Sequence, residues 1–171
     1  VDGHIIDSGW APDLGGGKAD AATSDGGLPI SGLHVTELMA KNEGAWVDEV
    51  GETDDWIELH NPTDDFIDLS QYAMSDSASM PHPLPRILME PGEYRLFWAD
   101  KETEQGVFHL PFKLSAQGDS LVLWHNGQPL QRIEYDVLEP NEVLEIMADG
   151  SWQRCRWASP GRENPTLCGA Y

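Results

Sequence analysis

Two glutamates, Glu37 and Glu58, are the carboxylates whose positions best suit acid–base chemistry. Both lie in segments that predict neighbouring strands, so their side chains are expected to meet. A glycoside hydrolase needs two such groups across a sugar-sized cleft, with one of them kept protonated. The same pair serves equally well as hydrogen-bond acceptors at the end of a sheet. We favour this structural role, because the sequence has neither a G-x-S-x-G motif nor a reactive Cys–His arrangement.

The segment between these glutamates carries oxygen ligands of the kind that calcium prefers. Calcium takes about six to eight such oxygens at roughly 2.3–2.6 Å. The spacing of the carboxylates matches no EF-hand loop, and carboxylates in water repel one another and stay solvated. We therefore predict no cofactor, and calcium at the Asp48–Asp55 loop stays an open alternative. The carboxylates concerned are Asp48, Glu49, Glu52, Asp54 and Asp55.

Histidine and tryptophan give weaker signals. The six histidines include no H-E-x-x-H motif, and His34 and His60 are expected to face each other as a surface pair rather than a zinc site. Trp56, Trp98 and Trp124 fall in predicted strands and are expected to be buried or half-buried. Exposed aromatic rings are enriched at protein interfaces and also serve carbohydrate binding. The candidates for such a surface are Trp46, Trp152 and Trp157.

The charge of the chain argues against two classes of partner. Lysine and arginine number 10 against 30 aspartates and glutamates, which gives a net charge of −20. Nucleic acid and anionic lipid both require basic patches, so neither is a predicted partner. A cationic partner, calcium and plain solubility remain as explanations. No stretch approaches the roughly 18 apolar residues that span a bilayer, so membrane association would come through a partner or a preceding N-terminal anchor.

The two cysteines, Cys155 and Cys168, are close together near the C-terminus. Without a Cys-x-x-Cys pair or a histidine cluster they do not suggest zinc, and a structural disulfide is the favoured interpretation. Two free buried thiols in a cytosolic protein are the alternative. A disulfide would place the protein outside the reducing cytosol, and the first residue is Val1 rather than methionine. A cleaved signal peptide would explain both observations, so we expect a periplasmic or extracellular protein.

The chain is organised around the stretch Asp54–Asn61, which predicts a strand. Its aromatic and β-branched residues favour extended structure, and an Asn–Pro pair follows as a turn signal. Ile57 and Leu59 fall on one face, which is expected to be buried. Glu58 and His60 fall on the other face, as alternation requires of a half-buried strand.

Elsewhere short strands alternate with turns, and no segment shows sustained helical spacing. This pattern predicts an all-β sandwich of about 8–10 short strands. Pro81, Pro83 and Pro85 predict an irregular crossing that cannot sit inside a sheet. The other predicted strands cover residues 33–38, 66–69, 72–74, 94–98, 112–114, 121–124, 130–135 and 152–157.

Residues 1–32 differ in composition from the rest of the chain. They contain eight glycines and five aspartates with a single lysine, which predicts an extended tail or linker. Residues 33–171 are then the folded domain. An extended tail binds a partner by lying along its surface or sheet edge, with sparse apolar residues as anchors. The candidate anchors are Ile5, Ile6, Trp10 and Leu14.

Four stretches of the sequence follow one another in a specific order. They are V-T-E-L-M-A-K-N at 35–42; D-W-I-E-L-H-N-P at 55–62, with I-D-L-S at 67–70 and M-S-D at 74–76; P-G-E-Y-R-L-F-W-A at 91–99; and F-K-L-S-A-Q-G-D-S-L-V-L at 112–123. With a closing S-P-G at 159–161, the chain resembles the bacterial lamin-tail domain over about residues 33–162. The proline-rich crossing, the tail and the cysteines lie outside the family pattern.

The resemblance implies an immunoglobulin-like two-sheet sandwich that works as a binding or structural unit and has no catalytic residues. Bacterial members of the family are mostly extracytoplasmic and often accompany enzymes or surface modules. We therefore expect a non-enzymatic structural or interaction subunit that docks onto a larger, membrane-associated assembly through its tail and sandwich surface. The alternatives are a calcium- or carbohydrate-binding module and an accessory domain of a secreted enzyme.

Overall fold

A computed structural model describes residues 32–146 and 151–165 of the chain. These residues form twelve strands and one short 3₁₀ turn, Leu69–Gln71. The expected all-β fold is confirmed, and no element in these ranges is a helix long and apolar enough to cross a membrane. The strands are β1 (His34–Met39), β2 (Trp56–His60), β3 (Ile67–Asp68), β4 (Tyr72–Ser75), β5 (His82–Pro83), β6 (Leu88–Met89), β7 (Tyr94–Ala99), β8 (His109–Leu110), β9 (Gly118–His125), β10 (Gln128–Asp136), β11 (Val143–Ile146) and β12 (Trp152–Cys155).

Ten of the strands form two larger sheets. The first has six strands in the order β12–β11–β1–β2–β7–β8, and the second has four in the order β10–β9–β4–β5. The strands β3 and β6 pair separately. Paired strands are antiparallel except for β7 and β8. The stretch that the sequence singles out therefore lies inside the larger sheet, where β2 is hydrogen-bonded on both sides.

The main core contains apolar residues from both larger sheets. Ile57 and Leu59 of β2 belong to the same buried cluster as Leu121 and Leu123 of β9. Their spacing of two residues puts each pair on one face of its strand, as the alternation predicts. Each such side chain contributes about 1.5–3 kcal/mol through burial, so this face accounts for much of the stability of the sandwich.

The opposite face of the six-stranded sheet is buried as well. A smaller apolar cluster lies there, and Ala158 from the C-terminal segment packs against it. The expectation of a half-buried β2 is therefore wrong for Glu58, which is fully buried. The cover comes from the C-terminal residues that follow β12. The buried members of the smaller cluster are Met39, Trp56, Trp98, Val143 and Cys155.

The strands that the sequence does not predict are short or lie near the ends of the chain. Four of the twelve strands contain two residues each, which explains why the number exceeds the expected range. One of them, β5, lies within the proline-rich crossing and places Pro83 opposite Ala73 of β4. It is the edge strand of its sheet, where a residue without an N–H is tolerated. The strand predicted at 112–114 is only an isolated bridge between Asp100 and Lys113.

Asn61, directly after β2, is a buried corner residue. Its Nδ2 donates to the carbonyl oxygens of Asp65 at 2.8 Å, Met89 at 3.2 Å and Glu90 at 2.9 Å. Its Oδ1 accepts hydrogen bonds from the N–H and the hydroxyl of Thr63. One side chain thus joins the turn after β2 to the turn after β6.

Gln131 of β10 joins the two larger sheets. Its Oε1 accepts from the Val35 N–H at 2.8 Å, and its Nε2 donates to the Val35 carbonyl at 3.3 Å. The register of β1 against β2 shifts between Val35 and Glu37, and β1 pairs with β11 only from Glu37 onward. The Gln131 side chain therefore satisfies the backbone N–H and carbonyl of Val35, at a point where β11 does not pair with β1.

Candidate functional site

Three glutamates lie side by side on the outer face of the six-stranded sheet. Glu37 of β1 is directly opposite Glu58 of β2, and on its other side it is opposite Glu145 of β11. All three are fully buried. The sequence predicts the first pair but gives no signal for Glu145. Three carboxyl groups at neighbouring positions repel one another when charged, so they require protons and hydrogen-bond donors.

The C-terminal segment supplies most of these donors. The Ser159 N–H donates to both carboxylate oxygens of Glu37, at 2.9 and 3.1 Å, and the Ser159 hydroxyl also donates to Oε1. The Gly161 N–H donates to Glu58 Oε2, and the Thr36 hydroxyl donates to Glu58 Oε1 at 2.7 Å. The S-P-G motif noted in the sequence therefore covers the carboxylate row. We call residues 159–164 the closing segment.

Asn164 completes the closing segment. Its Nδ2 donates to the carbonyl oxygens of Thr36 and Ile146, both at 3.1 Å. These carbonyls belong to β1 and β11, so the asparagine spans two strands of the sheet. Gly161 has a φ of +81°, a left-handed conformation that glycine adopts without steric cost.

Burial in this row changes the protonation of the glutamates. Burial raises the pKa of Glu58 to about 7 and that of Glu145 to about 8, and the charge of Glu37 acts in the same direction on both. Burial also raises the pKa of Glu37, although hydrogen bonds from Ser159 oppose the effect. At neutral pH Glu145 therefore keeps its proton and donates a hydrogen bond to Glu37.

The carboxylate row is closed within the fold, and the oxygens of Glu37 and Glu58 face the chain itself. Both oxygens of Glu37 and both oxygens of Glu58 accept hydrogen bonds from neighbouring residues. A glycoside hydrolase holds its carboxyl groups on opposite sides of an open cleft, about 5–9.5 Å apart. In the described part of the chain these two residues are instead cross-strand partners, with no room between them for a sugar.

The histidine pair is also part of the folded structure. The rings of His34 and His60 meet edge to face with centroids 5.4 Å apart, and His60 stacks on Tyr94 at 3.9 Å. His34 is buried, and its Nδ1 lies 2.9 Å from the Gly32 carbonyl, so the expected surface pair is wrong for this residue. Burial lowers the pKa of both rings, and the charge of His34 helps to lower that of His60 to about 4.

A different histidine, His109 of β8, joins two carboxylates. Its buried ring bonds to Asp100 through Nδ1, and its Nε2 lies 3.1 Å from Glu49 Oε1. Burial by itself lowers the pKa of His109, but the hydrogen bonds and charges of the two carboxylates outweigh burial and raise it. His109 therefore fastens the acidic loop to the edge of the larger sheet. No sequence pattern marks this contact, because Glu49 and His109 are 60 residues apart.

The acidic loop between β1 and β2 divides its five carboxylates among different environments. Glu49 bonds to His109, and burial raises the pKa of Asp55 to about 6. The remaining three carboxylates come together, with oxygens within 4.8 Å of one another: Asp48, Glu52 and Asp54. Three of the five carboxylates on which the calcium alternative rests are thus brought together.

The exposed tryptophans form a smaller surface than the sequence predicts. Trp157 is 73% exposed and Trp46 is 40% exposed, but Trp152 packs against the main core. A shallow pocket of about 300 Å³ lies beside Trp157, and its other lining residues are Glu139, Pro140, Asn141, Glu142 and Arg156. Trp56 and Trp98 are buried and Trp124 is half-buried, as expected.

Cys155 is buried beside the carboxylate row, with its sulfur 3.0 Å from Glu145 Oε2. Cys168 lies outside the described residues, so the bond between the two cysteines stays a prediction. We expect the unreduced protein to be lighter than the reduced protein by the mass of two hydrogen atoms. Reduction is expected to lower the free energy of unfolding by about 3 kcal/mol, the entropy cost of freeing a loop of this length. Intact-mass spectrometry with and without reductant checks the bond, and alkylation of both cysteines before reduction contradicts it.

The candidate tail anchors Ile5, Ile6, Trp10 and Leu14 also lie outside the described residues. Their contacts with a partner, and the boundary between tail and domain after residue 32, therefore stay predictions.

The two larger sheets, their shared core and the covered outer face define an immunoglobulin-like β-sandwich of the kind used as an interaction domain. The family model of the Lamin Tail Domain matches residues 29–152, which is more than half of the chain and includes β1 to β11. The chain belongs to the lamin tail domain family. No curated protein and no solved structure matches it.

Proposed function

We propose that the protein is a non-enzymatic structural and interaction subunit that docks onto a larger protein assembly outside the bacterial cytoplasm. Membership of an interaction-domain family supports the proposal. The observation that carries it is the state of the paired carboxylates: Glu37 and Glu58 are closed inside the fold by the closing segment. The expected disulfide supports the extracytoplasmic location.

The proposed docking surface lies at one end of the six-stranded sheet. Asn141 accepts a hydrogen bond from the Glu43 N–H at 2.7 Å and donates one from its own N–H to the Lys41 carbonyl at 2.8 Å. These contacts place the pocket beside Trp157 next to the loop that carries Trp46. We call Trp46, the 56% exposed Val47, Trp157 and this pocket the aromatic end surface.

A protein partner suits the chemistry of the aromatic end surface. Exposed tryptophans are enriched among the residues that dominate binding energy at protein interfaces. The net charge of −20 favours a partner with a basic face, because complementary charge speeds association. The tail, with its sparse apolar residues, is proposed as a second contact with the same assembly.

The test compares the size of the native complex among variants of the full chain. We expect the protein in gently lysed cells to migrate well above its own mass of 18.9 kDa. Replacing both Trp46 and Trp157 by alanine is expected to weaken the complex on the order of 30-fold, the effect of losing about 2 kcal/mol at an interface centre. Removing residues 1–28 is expected to release the protein without unfolding the sandwich.

The matched control is Phe66→Ala, which removes a 61% exposed aromatic ring next to β3. It should leave the complex intact. A parent protein that migrates as a free monomer contradicts the proposal, and so does a complex that is insensitive to both the tryptophan variant and the tail deletion. Retention on immobilised polysaccharide that requires Trp157, with no protein complex, would favour the carbohydrate-binding alternative instead.

A further inference from the structure

Three carboxylates converge in the loop between β1 and β2. Oxygen atoms of Asp48, Glu52 and Asp54 all lie within 4.8 Å of one another. Two oxygens that bind the same calcium ion at roughly 2.4 Å are at most about 5 Å apart, so this spacing suits a shared ion. Without a cation, repulsion among the three charges works against the closed loop.

The backbone holds two of these residues close together. Asp48 Oδ1 accepts hydrogen bonds from the N–H groups of Val50, at 2.9 Å, and Glu52, at 2.8 Å. The Asp48 N–H donates to the Glu52 carbonyl at 3.0 Å. Gly51 makes the reversal between them with a φ of +90°. The positions of Asp48 and Glu52 are therefore set by the loop before a ligand binds.

A buried oxygen in the same cluster has no partner. Asp48 is 8% exposed, and its Oδ2 is buried without a hydrogen bond from any described residue. Because Oδ2 and Oδ1 share one carbon atom, the unpartnered oxygen lies at the cluster. A buried carboxylate oxygen without a hydrogen-bond donor is unfavourable, and a bound cation removes that cost.

A second unpartnered oxygen lies close by. Gln105 Oε1 is buried without a hydrogen bond among the described residues, while Nε2 of the same amide donates to Glu52 Oε2 at 2.9 Å and to Glu102 Oε2, so the oxygen faces the cluster once the amide turns over. A side-chain amide oxygen is a hard ligand of the kind that calcium accepts. Gln105 lies on the loop between β7 and β8, so an ion at this position would bind two loops together.

One positive charge is already present. Lys113 Nζ lies 3.3 Å from Asp54 Oδ1, and its side chain is about half exposed. A single ammonium group leaves the three carboxylates with an excess of negative charge.

We propose that Asp48, Glu52 and Asp54 bind one calcium ion, with the Gln105 amide oxygen as a fourth ligand and water in the remaining positions. Calcium suits the site better than magnesium, because magnesium demands near-ideal octahedral geometry and calcium accepts irregular sets of oxygens. Few protein ligands make a weak site. We expect a dissociation constant on the order of 10⁻⁴ to 10⁻³ M, the range of extracellular modules.

The test is isothermal titration of the full chain with calcium chloride in metal-free buffer, with magnesium chloride in a parallel titration. We expect one calcium ion per chain and at least tenfold weaker binding of magnesium. Asp48→Asn keeps the acceptor for the two backbone N–H groups but removes the charge, and it is expected to weaken calcium binding at least tenfold. Lys113→Gln removes the competing ammonium group and is expected to strengthen calcium binding several-fold.

Asp64→Asn is the matched control, because it removes an exposed carboxylate from the other acidic loop, after β2. It should bind calcium as the parent does, and circular dichroism shows whether each variant is folded. The proposal fails if the parent shows no binding up to about 10 mM calcium, ten times the weakest expected constant. It also fails if a folded Asp48→Asn variant binds like the parent, or if Lys113→Gln does not strengthen binding.

Discussion

The Glu145→Gln variant is expected to be more stable than the parent protein at about pH 9 and no more stable at about pH 5. The folded protein holds the Glu145 proton up to a pKa of about 8, whereas the unfolded chain releases it near 4.5. Between these values the folded state binds more protons, so the stability of the parent falls as the pH rises. At about 1.4 kcal/mol per pKa unit, the loss at high pH is a few kcal/mol.

Glutamine removes this loss because an amide does not ionise. Its NH₂ group also donates to Glu37 in the way that protonated Glu145 does. Glu58 and His109 have raised pKa values in the fold as well, so part of the decline in stability with rising pH is expected to remain. The lowered pKa values of His34 and His60 destabilise the fold only toward acid pH, so they do not affect the comparison above pH 7.

The measurement is urea unfolding followed by tryptophan fluorescence at both pH values. Glu134→Gln is the control, because it removes an exposed carboxylate from β10 and should leave the pH dependence as it is in the parent. An unchanged slope of stability against pH in Glu145→Gln would show that this carboxyl group ionises in the folded protein much as it does in water.

Substitution of the buried Asn61 is expected to destabilise the fold strongly, because its side chain makes five hydrogen bonds. Asn61→Ala leaves the carbonyl oxygens of Asp65, Met89 and Glu90 without their donor, and we expect a loss of about 3 kcal/mol or more. Asn61→Asp keeps the shape but turns a carboxylate oxygen toward these three carbonyls. At neutral pH this variant is expected to be less stable than the alanine variant.

The two variants are compared by thermal and urea unfolding at about pH 8 and about pH 5. The aspartate variant should recover part of its stability at the lower pH, because a protonated carboxyl group can donate one hydrogen bond. Gln128→Ala, at an exposed position of β10, serves as the control and should unfold like the parent. An aspartate variant as stable as the parent at both pH values would mean that the Asn61 contacts do not hold the two turns.

The sequence predicts the central part of the fold well because its signals are local. Alternation around Ile57 and Leu59 places the buried face of β2 correctly, and the family motifs supply the order of the strands. The burial of Glu58 is not predictable from alternation, because its cover is Gly161, 103 residues further along the chain. A strand pattern records which face is polar, but a polar face can still be covered by a distant segment that donates hydrogen bonds.

The candidate sites show the same limit. The calcium alternative at the Asp48–Asp55 loop rests on carboxylates that are close in sequence, and three of them do come together. The contact of His109 with Glu49 spans 60 residues and the pairing of Glu145 with Glu37 spans 108, and no spacing rule connects them. The S-P-G motif at 159–161 covers the carboxylate row, but nothing in these three residues indicates which part of the sheet they contact.

The closing segment also sets an order of events during synthesis. Ser159 and Gly161 bond to glutamates that lie 122 and 103 residues earlier in the chain. Until the ribosome has made the C-terminal part, Glu37 and Glu58 lack the donors that Ser159 and Gly161 supply. The strand β11 is also not yet in place beside β1. Contacts of such long sequence separation form late and slowly. The nascent domain therefore stays incompletely folded until the closing segment has left the ribosome.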